Sequence, residues 1–356
     1  MVTLGLSINA KIISACLFIE DEFIALESEK NNRLNSSIVK LPVDSINKCL
    51  SAGQIHFNEI DTIIISDNLN IDFKKRYELF LSIKIPTLKK SAYNILLNSN
   101  NRHNIEKRLK KIFLHKTSTT RFSIFYSCSN ESITNYCFYA SGFTKSSFLN
   151  FNSQFNYFSQ ILGEVSESSI KIIDKQEQLN SLTYLYKCFT TYFGFKNEFK
   201  EFMKVSIKGR IIHKDKIWKL LIRQNEAKYI LNPQFIKLSP ELLIGEYIGL
   251  YNFEDFINFE QFEILFGPKR IKNTILTEDQ INIITSFVSV LQTIIADLLN
   301  MLFSYTHNEN LCLNSDFYGI LNEDFILNNT EFKSIYFGNY ESIFEDIAMG
   351  AAMKNI

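Results

Sequence analysis

Residues 3–30 read TLGLSINAKIISACLFIEDEFIALESEK, and residues 59–67 read EIDTIIISD. The first stretch holds three short β-rich runs, TLGLSI (3–8), ISACLFI (13–19) and EFIALE (22–27). Runs of β-branched and large apolar residues bounded by polar breaks mark strands, and the acidic turn Glu20-Asp21 joins the last two, so two successive hairpins are expected. After Pro42, VDSINKCLSAG places Ile46, Cys49 and Leu50 at helical spacing and stops at Gly53. EIDTIIISD then has the nearly unbroken apolar character of a strand covered on both faces. The resulting order, β-β-β-α-β, predicts an α/β lobe built on a mixed central sheet.

Working outward, residues 67–120 are helical and polar in pattern, with an Asn-rich break, NSNNRHN, at 98–104. This break places the lobe boundary near residue 115, giving a first lobe over 1–115 and a second over 116–356. RFSIFYSC (121–128) is expected to open the second lobe, followed by a helix-like ESITNYCFYASGF and a β-rich SSFLNFNSQFNYFSQI. Helices are predicted over 179–206, an irregular aromatic-rich region over 210–275, a long helix near 277–303, a strand at LCL (311–313) and a final helix over 341–355. Two β-rich openings about 120 residues apart fit a duplicated lobe.

Composition narrows the function. A chain of 356 residues buries a sizeable core in each of two lobes. Its 38 basic residues balance 38 acidic ones, which removes the main electrostatic reason to expect a nucleic acid or an anionic membrane as partner. The basic run IEKRLKKIFLHK (105–116) reads as a solvated helix face. The amino terminus lacks a basic region followed by a long apolar run and a cleavage site, so the cytoplasm is the expected location. The most apolar tract, ITSFVSVLQTIIADLLNMLF (284–303), carries Gln292, Asp297 and Asn300 at helical period and reads as a buried core helix rather than a membrane span. None of the six cysteines forms a C-x-x-C pair, and no histidine stands three or four residues from another, so no local metal pair is prepared. Ser14 has no histidine nearby in sequence to activate it and reads as structural.

Several landmarks follow one another in a particular order: the opening lobe, SLTYLYKCFTTYFGFKNEFKEFMKVSIKGR (181–210), FGPKR (266–270), LTEDQ (276–280), LCL (311–313) and MGAAM (349–353). In that order the chain resembles, over nearly its whole length, the amino-terminal domain of the NodU/CmcH-type carbamoyltransferases. The resemblance implies a two-lobed actin-like ATPase architecture of the ribonuclease H-like class, shared with the threonylcarbamoyl-adenosine proteins. It also implies a nucleotide and metal site between the lobes. The carboxy-terminal carbamoyltransferase domain of that family is expected to be absent, since the sequence stops at Ile356.

Set against the family pattern, the site positions differ one by one. A His-Asp pair in the first lobe corresponds to Lys11 and Ile12. A His-His-x-x-His metal element corresponds to Ser129, Asn130 and Ile133, and an isoleucine is no metal ligand. An Asp-Gly at a strand end corresponds to Asn152 and Ser153, and a nucleotide-contacting lysine to Glu201. The strand LCL runs on as LCLNSDFYGILN, with Ser315 and Asp316 where the family has Gly-Gly; glycine there lets backbone N–H groups approach a phosphate closely. Phe344 stands where the closing Gly-Asp-x-Gly has its aspartate. The resemblance therefore implies a degenerate site with no catalytic residues, no cofactor and no metal, in a protein that serves as partner subunit of an active carbamoyltransferase homologue. Two alternatives stand beside it: active carbamoyl transfer in a biosynthetic pathway, with ATP and a divalent metal in a site completed by another chain, and a stand-alone ligand-binding or structural role.

Overall fold

The first sheet begins as a meander of β1 (Val2–Ile8), β2 (Ile12–Ile19) and β3 (Glu22–Lys30). Glu20 and Asp21 turn the second hairpin with positive φ at both central positions, 49° and 67°, the geometry whose twist matches that of the flanking strands. Helix α1 (Val43–Ala52) leads to β4 (Thr62–Asp67), which pairs in parallel with β1. Beyond helix α2 (Arg102–Phe113), β5 (Ser123–Cys128) pairs in parallel with β4. The strand order is β3-β2-β1-β4-β5. The structure, a computed structural model, describes residues 1–8, 12–31, 40–67, 84, 86, 89–90, 102–114, 122–151, 158–167, 169–177, 181–195, 198–224, 227–237, 253–315, 317, 319–338 and 343–353.

Helix α3 (Ser129–Ser141) follows β5 directly and leads to a second meander, β6 (Lys145–Phe151), β7 (Phe158–Ser166) and β8 (Ser169–Glu177). The chain then runs through α4 (Leu182–Tyr192), α5 (Phe199–Ser206), α6 (Lys214–Trp218) and a small ribbon of β9 (Leu221–Arg223) and β10 (Tyr229–Leu231). Helices α7 (Phe259–Phe266) and α8 (Glu278–Thr306) precede β11 (Asn310–Ser315), α9 (Glu323–Asn329), β12 (Ser334–Phe337) and the closing helix α10 (Ile343–Ala352). Strand β11 pairs in parallel with both β6 and β12. Written from its meander, the second sheet is β8-β7-β6-β11-β12, two antiparallel pairings followed by two parallel ones. Both sheets thus share one order and one pattern of direction, the ribonuclease H-like topology used twice.

Each sheet buries both faces. The outer face of the first sheet places Leu4, Leu6, Leu17, Ile63 and Ile65 against Ile46 and Cys49 of α1 and Leu109 of α2. The outer face of the second packs Leu149, Leu162 and Leu313 against α4 and α8. There Phe189 stacks on Phe287 with ring centroids 3.7 Å apart. The long α8 starts at a capping box of Thr277 and Gln280 and buries Ile283, Phe287, Leu291, Leu298 and Leu302, so its apolar tract belongs to the core.

Between the inner faces lie α3 and α10. Closest approach is made backbone to backbone. A Cβ on Gly5 of β1 would sit 2.1 Å from the Ala348 carbonyl oxygen, and one on Gly350 would sit 1.7 Å from that of Ser132. The landmark MGAAM is therefore the stretch through which α10 touches both the first sheet and α3. One expectation needs correcting: RFSIFYSC does not open the second lobe, because its strand β5 completes the first sheet beside β4. The alternation of its residues identifies a strand but not the sheet that strand joins, and the crossover that returns it to β4 falls in the polar region taken as a boundary.

Candidate functional site between the lobes

One row of five serines crosses the whole first sheet. Pairing places Ser14 opposite Ser28, Ser7 opposite Ser14, Ser66 beside Ser7 and Ser127 beside Ser66. Paired positions share a face, and Ser7 lies two residues from Gly5, so the row faces α10. Ser132 of α3 reaches over it, donating to Ser66 Oγ at 3.1 Å and lying 2.7 Å from Ser127 Oγ. At the other end Ser28 donates to Glu345 Oε1 of α10 at 2.6 Å. The fully buried hydroxyls of Ser7 and Ser14 find no hydrogen-bond partner among the described residues.

The second sheet answers with amides. Asn150 and Asn314 are paired across β6 and β11. Asn150 Nδ2 donates to Thr134 Oγ1 at 2.7 Å and to the Asn130 carbonyl at 3.2 Å. Asn314 Oδ1 is buried with no partner among the described residues. Asp346, on the first turn of α10 and 2% exposed, lies near the hydrogen-bonded phenols of Tyr136 and Tyr336. Burial first, and then the Asp346 charge, push the Tyr136 hydroxyl well above the usual phenol range. The seam is thus built of hydroxyls, amides and carboxylates.

The residues singled out from the sequence fall in different places. Lys11, Asn152, Ser153 and Asp316 lie outside the described residues, and so does the side chain of Phe344. Ile12 is exposed at the start of β2. Ser129, Asn130 and Ile133 come together on the first turns of α3, all buried, and Ile133 is wholly enclosed. That helix is capped by Cys128, whose sulfur accepts from the Glu131 amide at 3.3 Å. Glu201 points outward and pairs with Lys204 at 2.7 Å, on an exposed turn of α5. Ser315 Oγ accepts from the Phe317 amide at 3.0 Å, closing a tight turn at the end of β11.

Phe317 decides the shape of that turn. Its ring is 2% exposed and packs edge-on against Phe151 at 4.8 Å and Tyr186 at 5.5 Å. Among the described residues of this segment, left-handed backbone appears at Gly319 with φ 74°, where a Cβ would come 3.3 Å from Met203 Cγ of α5. The serine row and Asp346 were not singled out from the sequence. The signal for the row was present: LSI, ISA, ESE, ISD and YSC each set a serine within or at the end of an apolar strand.

Two mixed sheets of identical order, with α3 and α10 between them, define the class of duplicated α/β proteins with the actin-like ATPase architecture. Within it the family model for the carbamoyltransferase N-terminus matches residues 13–353, and the chain belongs to that family. Among solved structures it is similar to the ROK hexokinase of Thermus thermophilus, at 11% identity and a TM-score of 0.47, covering 99% of this chain and 97% of that one. Component A of the (R)-2-hydroxyglutaryl-CoA dehydratase of Acidaminococcus fermentans matches at 9% identity and a TM-score of 0.45, over 99% and 96% of the two chains. YeaZ from Pseudomonas aeruginosa matches 49% of this chain and 65% of its own, at 9% identity and a TM-score of 0.27. The comparison with curated proteins gives no match.

Proposed function

We propose that this chain is a carbamoyltransferase-family protein that no longer holds nucleotide and metal, and that acts in the cytoplasm as a non-catalytic partner subunit of an active homologue. The observation that carries the reading is the burial of Phe317 in the second-lobe core. A phosphate-binding turn presents backbone N–H groups to its ligand, whereas this one sends a ring inward and bonds the Phe317 N–H to Ser315. The family's metal element supports the same conclusion. Ser129, Asn130 and Ile133 offer a hydroxyl, an amide and a hydrocarbon, a poor donor set for a divalent cation. Glu201, in the place of a nucleotide-contacting lysine, brings negative charge and pairs with its own helix neighbour Lys204.

Calorimetry tests the first half. Titration of the isolated protein with ATP and Mg²⁺, and separately with carbamoyl phosphate, is expected to give no saturable heat, and saturable ATP binding with a divalent metal overturns the reading. Co-expression with an intact family member tests the second half: a stable complex on size exclusion is expected, and two independently eluting proteins remove the partner role.

A further inference from the structure

A half-open cavity of about 290 Å³ lies beside α3, where the β7–β8 turn and the residue after α10 close around it. It shares no lining residue with the serine row. Glu131 and Glu167 bring two carboxylates to its wall, Phe138 and Tyr139 bring rings, and none of its nine lining residues is basic. The two rings meet edge-on at 5.7 Å, so they present differently oriented surfaces. Asn135, nine-tenths buried, also lines it. Its Nδ2 donates to the Gly350 carbonyl at 3.4 Å and the side chain makes no other hydrogen bond among the described residues, which leaves its carbonyl oxygen as an acceptor in the wall. The local field is negative: after burial, the charges of Glu167 and Asp21 push the Tyr139 phenol above its ordinary value.

We propose that this cavity binds a small organic cation, an alkylammonium or guanidinium compound. Carboxylates and an amide oxygen accept hydrogen bonds from N–H donors, and aromatic rings attract a cation near their faces while covering its hydrocarbon stem. Phosphates and carboxylates are repelled by the same wall. The volume stands at the lower end of the range for small-molecule sites, roughly 300–1,000 Å³, so the ligand is no larger than a short diamine or guanidine. The proposal is independent of the partner role, since it needs no second chain.

The test is a calorimetric titration of the whole protein with agmatine and with putrescine, using glutarate as an anion of similar length. Saturable binding of at least one cation and none of glutarate is expected. The Glu131→Gln/Glu167→Gln double variant should weaken that binding about tenfold or more, as loss of two charge-assisted acceptors requires. Glu167→Lys, at an exposed position, should abolish it. Circular dichroism of each variant, unchanged from the parent, shows that the fold is kept. No saturation by either cation up to about 10 mM, far weaker than a specific site, overturns the proposal, and so does equal affinity in the charge-reversed variant.

Discussion

Phe317→Ala tests the reasoning at its base, because the burial of one ring carries the functional reading. Removing a fully enclosed phenylalanine forfeits about 2–3 kcal/mol of transfer free energy. The edge-on contacts with Phe151 and Tyr186 add about 0.5–1.5 kcal/mol each. The sum, about 3–6 kcal/mol, overlaps the range of about 3–5 kcal/mol for Phe→Ala in cores. Against a total stability of about 5–15 kcal/mol such a loss is large. The single tryptophan, Trp218, packs against the second-lobe core and reports its unfolding, so urea denaturation followed by fluorescence measures the effect. Phe337→Ala, at a ring 38% exposed on β12, is the matched control and should cost about 1 kcal/mol or less. If Phe317→Ala costs no more than the control, the ring is not a core residue, the turn after β11 is free to receive a phosphate, and the argument for a dismantled site fails.

Ser132→Ala should destabilise by about 1–3 kcal/mol, since it strands the buried hydroxyls of Ser66 and Ser127, whereas Ser14→Ala, which removes an unpartnered hydroxyl, should be neutral or stabilising; thermal melts of the two variants compare them directly. A thiol reagent at mildly alkaline pH should label Cys128 first, because the other five cysteines are buried, and mass spectrometry of the modified peptide identifies the site. Burial above all, and then Glu27, push the Cys49 thiol up from its ordinary 9.0 to about 12. A raised folded-state value stabilises fully below pH 9 and loses that contribution as pH rises toward 12, so the unfolding midpoint should fall over that window and fall less steeply in Cys49→Ala.

The fold was legible where the sequence speaks through burial. A strand covered on both faces must be apolar throughout, which exposed EIDTIIISD as a central strand. A glycine stop and helical spacing exposed α1. The apolar stretch inside α8 was separable from a membrane span by Gln292, Asp297 and Asn300. What was not legible was pairing. Nothing local distinguishes a strand that closes one sheet from one that opens the next, and β5 was placed in the second lobe for that reason. The candidate site suffered in the same way. Ser7, Ser14, Ser28, Ser66 and Ser127 stand far apart along the chain and look unremarkable singly, and only the register of four pairings makes them a row. Phe317 is visible in LCLNSDFYGILN, next to the Ser315-Asp316 pair, but its direction, inward, depends on Phe151 and Tyr186 packing against it.

The contrast between the seam and the turn gives the functional reading its physical sense. At Gly5 and Gly350 the closing helix meets a strand and another helix with no room for a methyl group, so the contact between lobes tolerates almost no change. The segment after β11 instead carries Phe317, whose ring makes ordinary core contacts. A protein that must present a fixed surface to a partner depends on the first kind of contact and is indifferent to the second. An enzyme that must cradle a phosphate depends on both. The proposed partner role asks only for the first kind of contact.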